Sequence, residues 1–214
     1  MLGLMIKDVY TIKRQFKIVV LMSIFYIGFS ILDNNIGFLS FVALFANIGL
    51  ILPTFSYDEK GQWDKYARIL PVSYEKLVLS RYVEVLIVNG VMLAILAPIS
   101  LFVKQPEQEF LEILSILVVA ICIGVILISI MFPIIYKIGM EKARIMIFVV
   151  ILVPTCLIAT MAKWNININL HQILVSPTVN FISYHLYIIC PLIAAVFLAL
   201  SYKISKSIVA KKEY

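Results

Sequence analysis

Six runs of apolar residues dominate the chain, each about as long as a helix needs to be to cross a ~30 Å hydrocarbon core. They are Phe16 to Leu32, Ile36 to Tyr57, Tyr82 to Val103, Leu111 to Ile135, Ile145 to Ala162 and Phe181 to Tyr202. In lipid every backbone N–H and C=O must be satisfied within the segment, so each run is expected to be a helix. The first and fifth are short, and a short span is completed by tilt, bilayer thinning or snorkelling of flanking Lys side chains. With 63% hydrophobic residues, 14% charged residues and a mean hydropathy of +1.04, the solvent for most of the chain is lipid. The expected fold class is all-α, a polytopic membrane protein forming one domain over residues 1–214 with no soluble domain.

A net charge of +6 raises the question of nucleic acid, and the placement of the cations answers it. Lys7, Lys13, Arg14 and Lys17 precede the first span; Lys60, Lys65, Arg68, Lys76 and Arg81 lie between spans two and three. Lys137, Lys142 and Arg144 separate spans four and five, and Lys203, Lys206, Lys211 and Lys212 follow the sixth. Of the 18 basic residues only Lys104 and Lys163 fall on the other side. The positive-inside rule then puts both termini in the cytoplasm. An odd number of spans would destroy this partition, so charge supports six independently of hydropathy, and no nucleic-acid partner is expected.

Cys122, Cys156 and Cys190 all lie in predicted spans and read as small apolar residues rather than a disulfide framework or metal site. Leu32-Asp33-Asn34-Asn35 leads from the first run straight into the second, without the small-residue pattern of a cleaved signal peptide.

Before the first span, Leu2, Met5, Ile6, Val9, Ile12 and Phe16 line one helical face, and Lys7, Asp8, Thr11, Arg14 and Gln15 take the other. An interfacial amphipathic helix over residues 1–16 is expected, its cations near anionic headgroups; the alternative is a cytoplasmic extension of span one. On the outer side, Asp33 to Asn35 makes a tight turn and Lys104 to Glu109 a short link around Pro106. The longer outer loop, residues 163–180, carries Trp164 and His171 and has room for a short interfacial or re-entrant helix.

The cytoplasmic segment over residues 58–81 is far longer and more charged than a connector requires. Trp63, Tyr66, Ala67 and Leu70 recur at helical spacing opposite Gln62, Asp64, Lys65 and Arg68, which predicts an amphipathic helix ended by Pro71. Ser73 is placed to cap a second helix, with Glu75 in its first turn, running into span three. A charged helix, a sharp break and a helix fused to a span make a docking surface for a partner.

These residues carry a resemblance. Lys7-Asp8 in the leader, Tyr57-Asp58-Glu59-Lys60 and Trp63-Asp64-Lys65-Tyr66 opening the loop, and Leu70-Pro71-Val72-Ser73, Val78 and Arg81-Tyr82 closing it resemble an ABC-2 type transporter permease. The branch is the small bacterial one that includes exporters of phenol-soluble modulins. The resemblance spans nearly the whole chain. It implies a multi-pass protein of the bacterial cytoplasmic membrane whose loop between spans two and three carries a coupling helix. By that resemblance Glu59, Gln62, Trp63, Asp64, Lys65, Tyr66 and Arg68 contact a separate ABC ATPase subunit, expected in two copies and holding ATP and magnesium. A second permease, identical or homologous, is expected to complete the pathway, and the cargo implied is an amphipathic, antimicrobial or cytolytic peptide or another hydrophobic molecule. The other reading of Trp63 and Tyr66 is that they anchor a surface helix at the headgroups.

The chain itself holds no G-x-x-x-x-G-K-[ST] phosphate cradle, no H-E-x-x-H zinc pattern and no G-x-S-x-G elbow, so no catalytic residue, cofactor or metal is assigned to it. Asn47, with Gly49 in span two, and Asn89-Gly90 in span three are the polar residues singled out within the membrane. They are expected to pack these spans together, or against a partner protomer, through an interhelical hydrogen bond worth on the order of 1 kcal/mol; lining a translocation path is the other role open to them. No ionisable residue sits clearly at mid-membrane, which disfavours a proton- or sodium-coupled carrier. A non-transporting membrane immunity or scaffold protein is the alternative of a different class.

Overall fold

The computed structural model describes residues 2–67, 73–103, 110–163 and 177–211. Its helices are α1 (Leu2–Leu32), α2 (Ile36–Lys60), α3 (Trp63–Ala67), α4 (Tyr74–Ser100), α5 (Phe110–Ile138), α6 (Met140–Lys163) and α7 (Pro177–Lys211). There is no strand among the described residues. Segments of α1, α2, α4, α5 and α7 are long and apolar enough to cross a membrane, and α6, 24 residues long, covers the fifth expected span. The expected outer loops at 104–109 and 164–176, and the stretch 68–72 with Arg68, Leu70 and Pro71, lie outside the described residues.

The start of α1, the end of α2, the start of α4, the α5–α6 junction and the end of α7 meet at one end of the bundle, where Lys7 reaches Asp58, Glu59 reaches Met140 and Lys206 reaches Glu75. This is the end rich in cations, cytoplasmic by the positive-inside rule. The convergence is what an alternating up-and-down chain with both termini on one side produces.

For the leader, the structure has the alternative arrangement. Residues 2–16 and the first span form a single 31-residue helix rather than a separate interfacial helix. No Gly or Pro lies between Gly3 and Gly28 to break it, and its polar face meets the ends of α2 and α4 instead of only headgroups. The Asp33-Asn34-Asn35 turn is as tight as expected: Asn34 adopts φ 48°, Ser30 Oγ donates to the Asn35 carbonyl at 2.8 Å, and the Asn35 side chain accepts from Gly37 N at 2.8 Å to cap α2. Pro53, Pro98, Pro133 and Pro191 lie inside α2, α4, α5 and α7 without ending them. Ser73 stands at the N-cap of α4, but its hydroxyl makes no capping bond; its carbonyl accepts from Lys76 N and Leu77 N.

The core is built around α5, which packs most extensively on α7 and then on α2, while α2 is packed along α1. Leu117, Ile128 and Phe132 of α5 and Leu39 and Ile51 of α2 are fully buried. Helix association in lipid rests on such close packing rather than on water exclusion. Among the described glycines the closest approach is at Gly124 of α5, where an added Cβ would lie 2.8 Å from the Asn47 side chain of α2. Gly124→Val is therefore expected to cost about 1–3 kcal/mol by overpacking, measured as a lowered thermal unfolding temperature in detergent. Asn47 and Asn89 do not bond each other. Each turns back on its own helix, Asn47 Nδ2 donating to the Ala43 carbonyl at 3.1 Å and Asn89 Nδ2 to the Val85 carbonyl at 2.7 Å. Asn47 instead packs beside Gly124 of α5.

Candidate functional site

The residues predicted to form the docking surface divide between three places. Glu59 belongs to the last turn of α2, where its Oε2 accepts a hydrogen bond from Met140 N at 2.8 Å. It thereby caps the N-terminus of α6, where unpaired amides and the helix dipole favour a carboxylate. Gln62 occupies the turn between α2 and α3 with φ 51°, its backbone N–H donating to the Glu59 carbonyl at 3.1 Å. Trp63, Asp64, Lys65 and Tyr66 form α3. Tyr66 is 62% exposed, and Trp63 is half-buried. The side chains of Asp64 and Lys65, like the whole of Arg68, lie outside what is described.

The Glu59 cap depends on Gly139, the single residue between α5 and α6. It holds φ +83°, and a Cβ there would stand 2.9 Å from Glu59 Oε1. Gly139→Ala is expected to cost on the order of 1–2 kcal/mol from the left-handed backbone alone and to displace Glu59 from Met140. Thermal unfolding checks the first effect, and protection of the Met140 amide from hydrogen exchange checks the second.

Behind α3 lies an ionic cluster that joins three helices. Arg81 of α4, 5% exposed, sends Nη1 to Asp8 of α1 at 3.1 Å, to Glu84 at 3.1 Å and to Thr54 Oγ1 of α2 at 2.9 Å. Its Nη2 is bonded to Asp58 of α2. Lys7 binds Asp58 at 2.6 Å and Asp8 at 3.2 Å, and its ammonium stands 4.0 Å from the centre of the Trp63 ring. The guanidinium also lies 5.0 Å from the Phe55 ring centre, so aromatic faces complete the surroundings of both cations. Burial pushes the Asp8 carboxyl above its ordinary value, against the opposing pull of Arg81 and Lys7. The carboxyl groups of Asp8, Asp58 and Glu84 thus share two cations, Arg81 and Lys7.

On its other side α4 is held by hydroxyls. Tyr82 Oη lies 2.6 Å from Ser201 Oγ and 2.9 Å from Ser205 Oγ of α7, and Ser201 Oγ donates to the Ser129 carbonyl of α5 at 2.5 Å. The Tyr82 ring packs edge-on against Phe132 and Tyr202. A cavity of about 440 Å³ opens between the cluster, α3, the α5–α6 junction and Val209 of α7. Among the described residues no group of three or more His, Cys, Asp or Glu side chains is arranged to hold a metal ion.

A family model described as an ABC-2 family transporter protein matches residues 3–210. The chain belongs to that family. No curated protein and no solved structure matches it. As an ABC-2 family transporter protein it is a transmembrane permease subunit of an ABC transporter, a part that is not itself catalytic. Such a permease works with an ABC ATPase subunit.

Arg81, Asp8, Asp58 and Lys7 stand in the motifs that carried the resemblance, yet nothing in their spacing assigned them a common site. Only Arg81 and Glu84, at i, i+3, are spaced for a local pair, and they do pair, near the span boundary. Tyr82 and the i, i+4 hydroxyls Ser201 and Ser205 gave no signal, because two serines near a helix end are ordinary.

Proposed function

We propose that this permease is the membrane half of an ATP-driven exporter in the bacterial cytoplasmic membrane, moving amphipathic, antimicrobial or cytolytic peptides or similar hydrophobic cargo outward. Two ATPase subunits bind at its basic end, and a second permease, identical or homologous, completes the pathway. α3 is the coupling helix. The observation that carries this reading is the mounting of α3: a short helix hung from α2 through the Gln62 turn, with Tyr66 exposed and Trp63 clamped by Lys7 onto the ionic cluster at the base of α1, α2 and α4. A helix that only anchored at headgroups would have no need of that clamp. Trp63, Asp64, Lys65 and Tyr66 supply the contact with the ATPase, joined by Gln62 and Arg68, while Glu59 steadies the α2 end by capping α6.

α2 from Ile36 to Tyr57, α4 from Val85 to Ser100 and α5 from Ile113 to Tyr136 carry no carboxylate or cation, which fits cargo that needs an apolar wall and lateral access more than a charged pocket. Purification of the tagged chain from native membranes in mild detergent tests the assembly. A Walker-motif ATPase recovered in equal amount supports it. A chain that is recovered alone under several detergents favours an immunity or scaffold protein instead.

A further inference from the structure

Adjacent residues of α4 tie it to opposite halves of the bundle by different chemistry. Arg81 binds α1 and α2 through charges, and Tyr82 binds α7, and through Ser201 α5, through hydroxyls. The packing around the two ties is unequal. On the Tyr82 side the space is filled, with the Phe132 ring centre at 5.0 Å and that of Tyr202 at 5.5 Å. The Arg81 side borders the cavity of about 440 Å³, whose wall includes Lys7, Asp8, Asp58, Trp63 and Arg81. A packed interface holds its geometry, whereas a void leaves room for displacement. α4 also touches α2, α5 and α7 over much shorter stretches than α5 touches α7 or α1 touches α2. Its attachment is divided among α2, α5 and α7 rather than concentrated on one neighbour, and Arg81 and Tyr82 carry side-chain bonds from it to both halves of the bundle near the basic end.

The contacts run from α3 to Arg81 without passing through the chain between them. Trp63 lies under the Lys7 ammonium, Lys7 binds Asp58, and Asp58 binds Arg81. Force on Trp63 therefore loads the ionic tie directly. Asp8, Arg81 and Glu84 are all buried in the cluster, so these ion pairs sit in a low-dielectric site where small displacements change their energy strongly.

We infer that Arg81 and Tyr82 are positioning residues for transport, Arg81 forming a latch to α1 and α2 that opens when α3 is pushed, and Tyr82 a pivot on α7 that stays closed while α4 swings. The inference rests on α3 being the coupling helix and adds which contact breaks and which holds. Neither side chain needs to touch cargo.

The test uses the full permease–ATPase complex in lipid nanodiscs, with Cys122, Cys156 and Cys190 replaced and spin labels placed by Tyr10→Cys on α1, Leu79→Cys on α4 and Ile204→Cys on α7, all exposed positions beside the two ties. Pulsed electron resonance reads the distances with and without trapping by ATP and vanadate. The Tyr10–Leu79 distance is expected to lengthen by more than about 2 Å, beyond the usual shift of packed helices, while Leu79–Ile204 stays constant. Adding Tyr82→Phe, which keeps the ring but removes the hydroxyl bonds, is expected to make Leu79–Ile204 change on trapping as well. A complex that hydrolyses ATP but shows no change in Tyr10–Leu79, or an equal change in Leu79–Ile204 with Tyr82 intact, overturns the inference and leaves the permease reading standing. A chain that brings no ATPase overturns the coupling role of α3, and the inference with it.

Discussion

Arg81→Ala is expected to lower the stability of the folded permease by about 3–5 kcal/mol, more than the glycine substitutions at positions 124 and 139. The guanidinium is buried and faces three carboxylates, on Asp8, Asp58 and Glu84. Truncation leaves them in a low-dielectric site with only Lys7 as partner, and Lys7 reaches just Asp8 and Asp58. Glu84 is then a buried acid with no cation within reach on its own helix. Thermal unfolding of the purified chain in detergent is the measurement. Arg81→Lys should lose less, since it keeps a charge but not the fork that serves α1, α2 and α4 together. Equal stability of Arg81→Ala and the parent chain would mean that the cluster contributes nothing to the fold.

The second large effect is functional. Replacing Trp63 and Asp64 together by Ala is expected to remove coupling between ATP turnover and transport while leaving membrane insertion intact. α3 is five residues long and lies outside the packed core formed by α1, α2, α5 and α7, so its substitution leaves the helix–helix packing of the bundle in place and only widens the cavity that Trp63 already lines. A central aromatic at an interface is worth ~2 kcal/mol or more, which corresponds to a loss of about 30-fold in ATPase affinity. Loss of Trp63 also removes the ring beneath Lys7. The measurement is ATP hydrolysis by the ATPase subunit with parent and doubly substituted permease, normalised to the amount of permease in the membrane. Unchanged coupling would place the contact elsewhere.

The parts of this architecture that depend on local pattern were readable from the residues. Apolar run lengths located the long helices, the cation partition put their charged ends together, and Asn34-Asn35 marked the tight turn. The continuity of α1 was not readable, because a face with Leu2, Met5, Ile6 and Val9 opposite Lys7 and Asp8 serves equally for a helix in the headgroups and for one packed against protein. The start of α4 after Ser73, with Glu75 in its first turn, was readable, but the helical extension of α2 through Lys60 was hidden by charges that read as loop. Those charges are neutralised by partners more than 20 residues away, as in Asp58 with Lys7 and Arg81, and periodicity within one segment carries no information about such pairs. Glu59 illustrates the cost. Its place in a charged motif pointed outward to a partner, and nothing in that motif indicated that its Oε2 also accepts from the amide of Met140, 81 residues away. For Asn47 and Asn89, a bond to the carbonyl four residues back competes with an interhelical bond, and in both it wins.

The most direct test of the coupling role is a photo-crosslinking residue at position 66, where the tyrosine side chain is exposed on α3. With Tyr66 replaced by benzoylphenylalanine and intact membranes irradiated, an adduct between the permease and a Walker-motif ATPase is expected, lost when Trp63 and Asp64 are also replaced. An adduct to lipid alone, with the same ATPase present and active in the membrane, would contradict the coupling role and leave α3 as a helix lying among the headgroups.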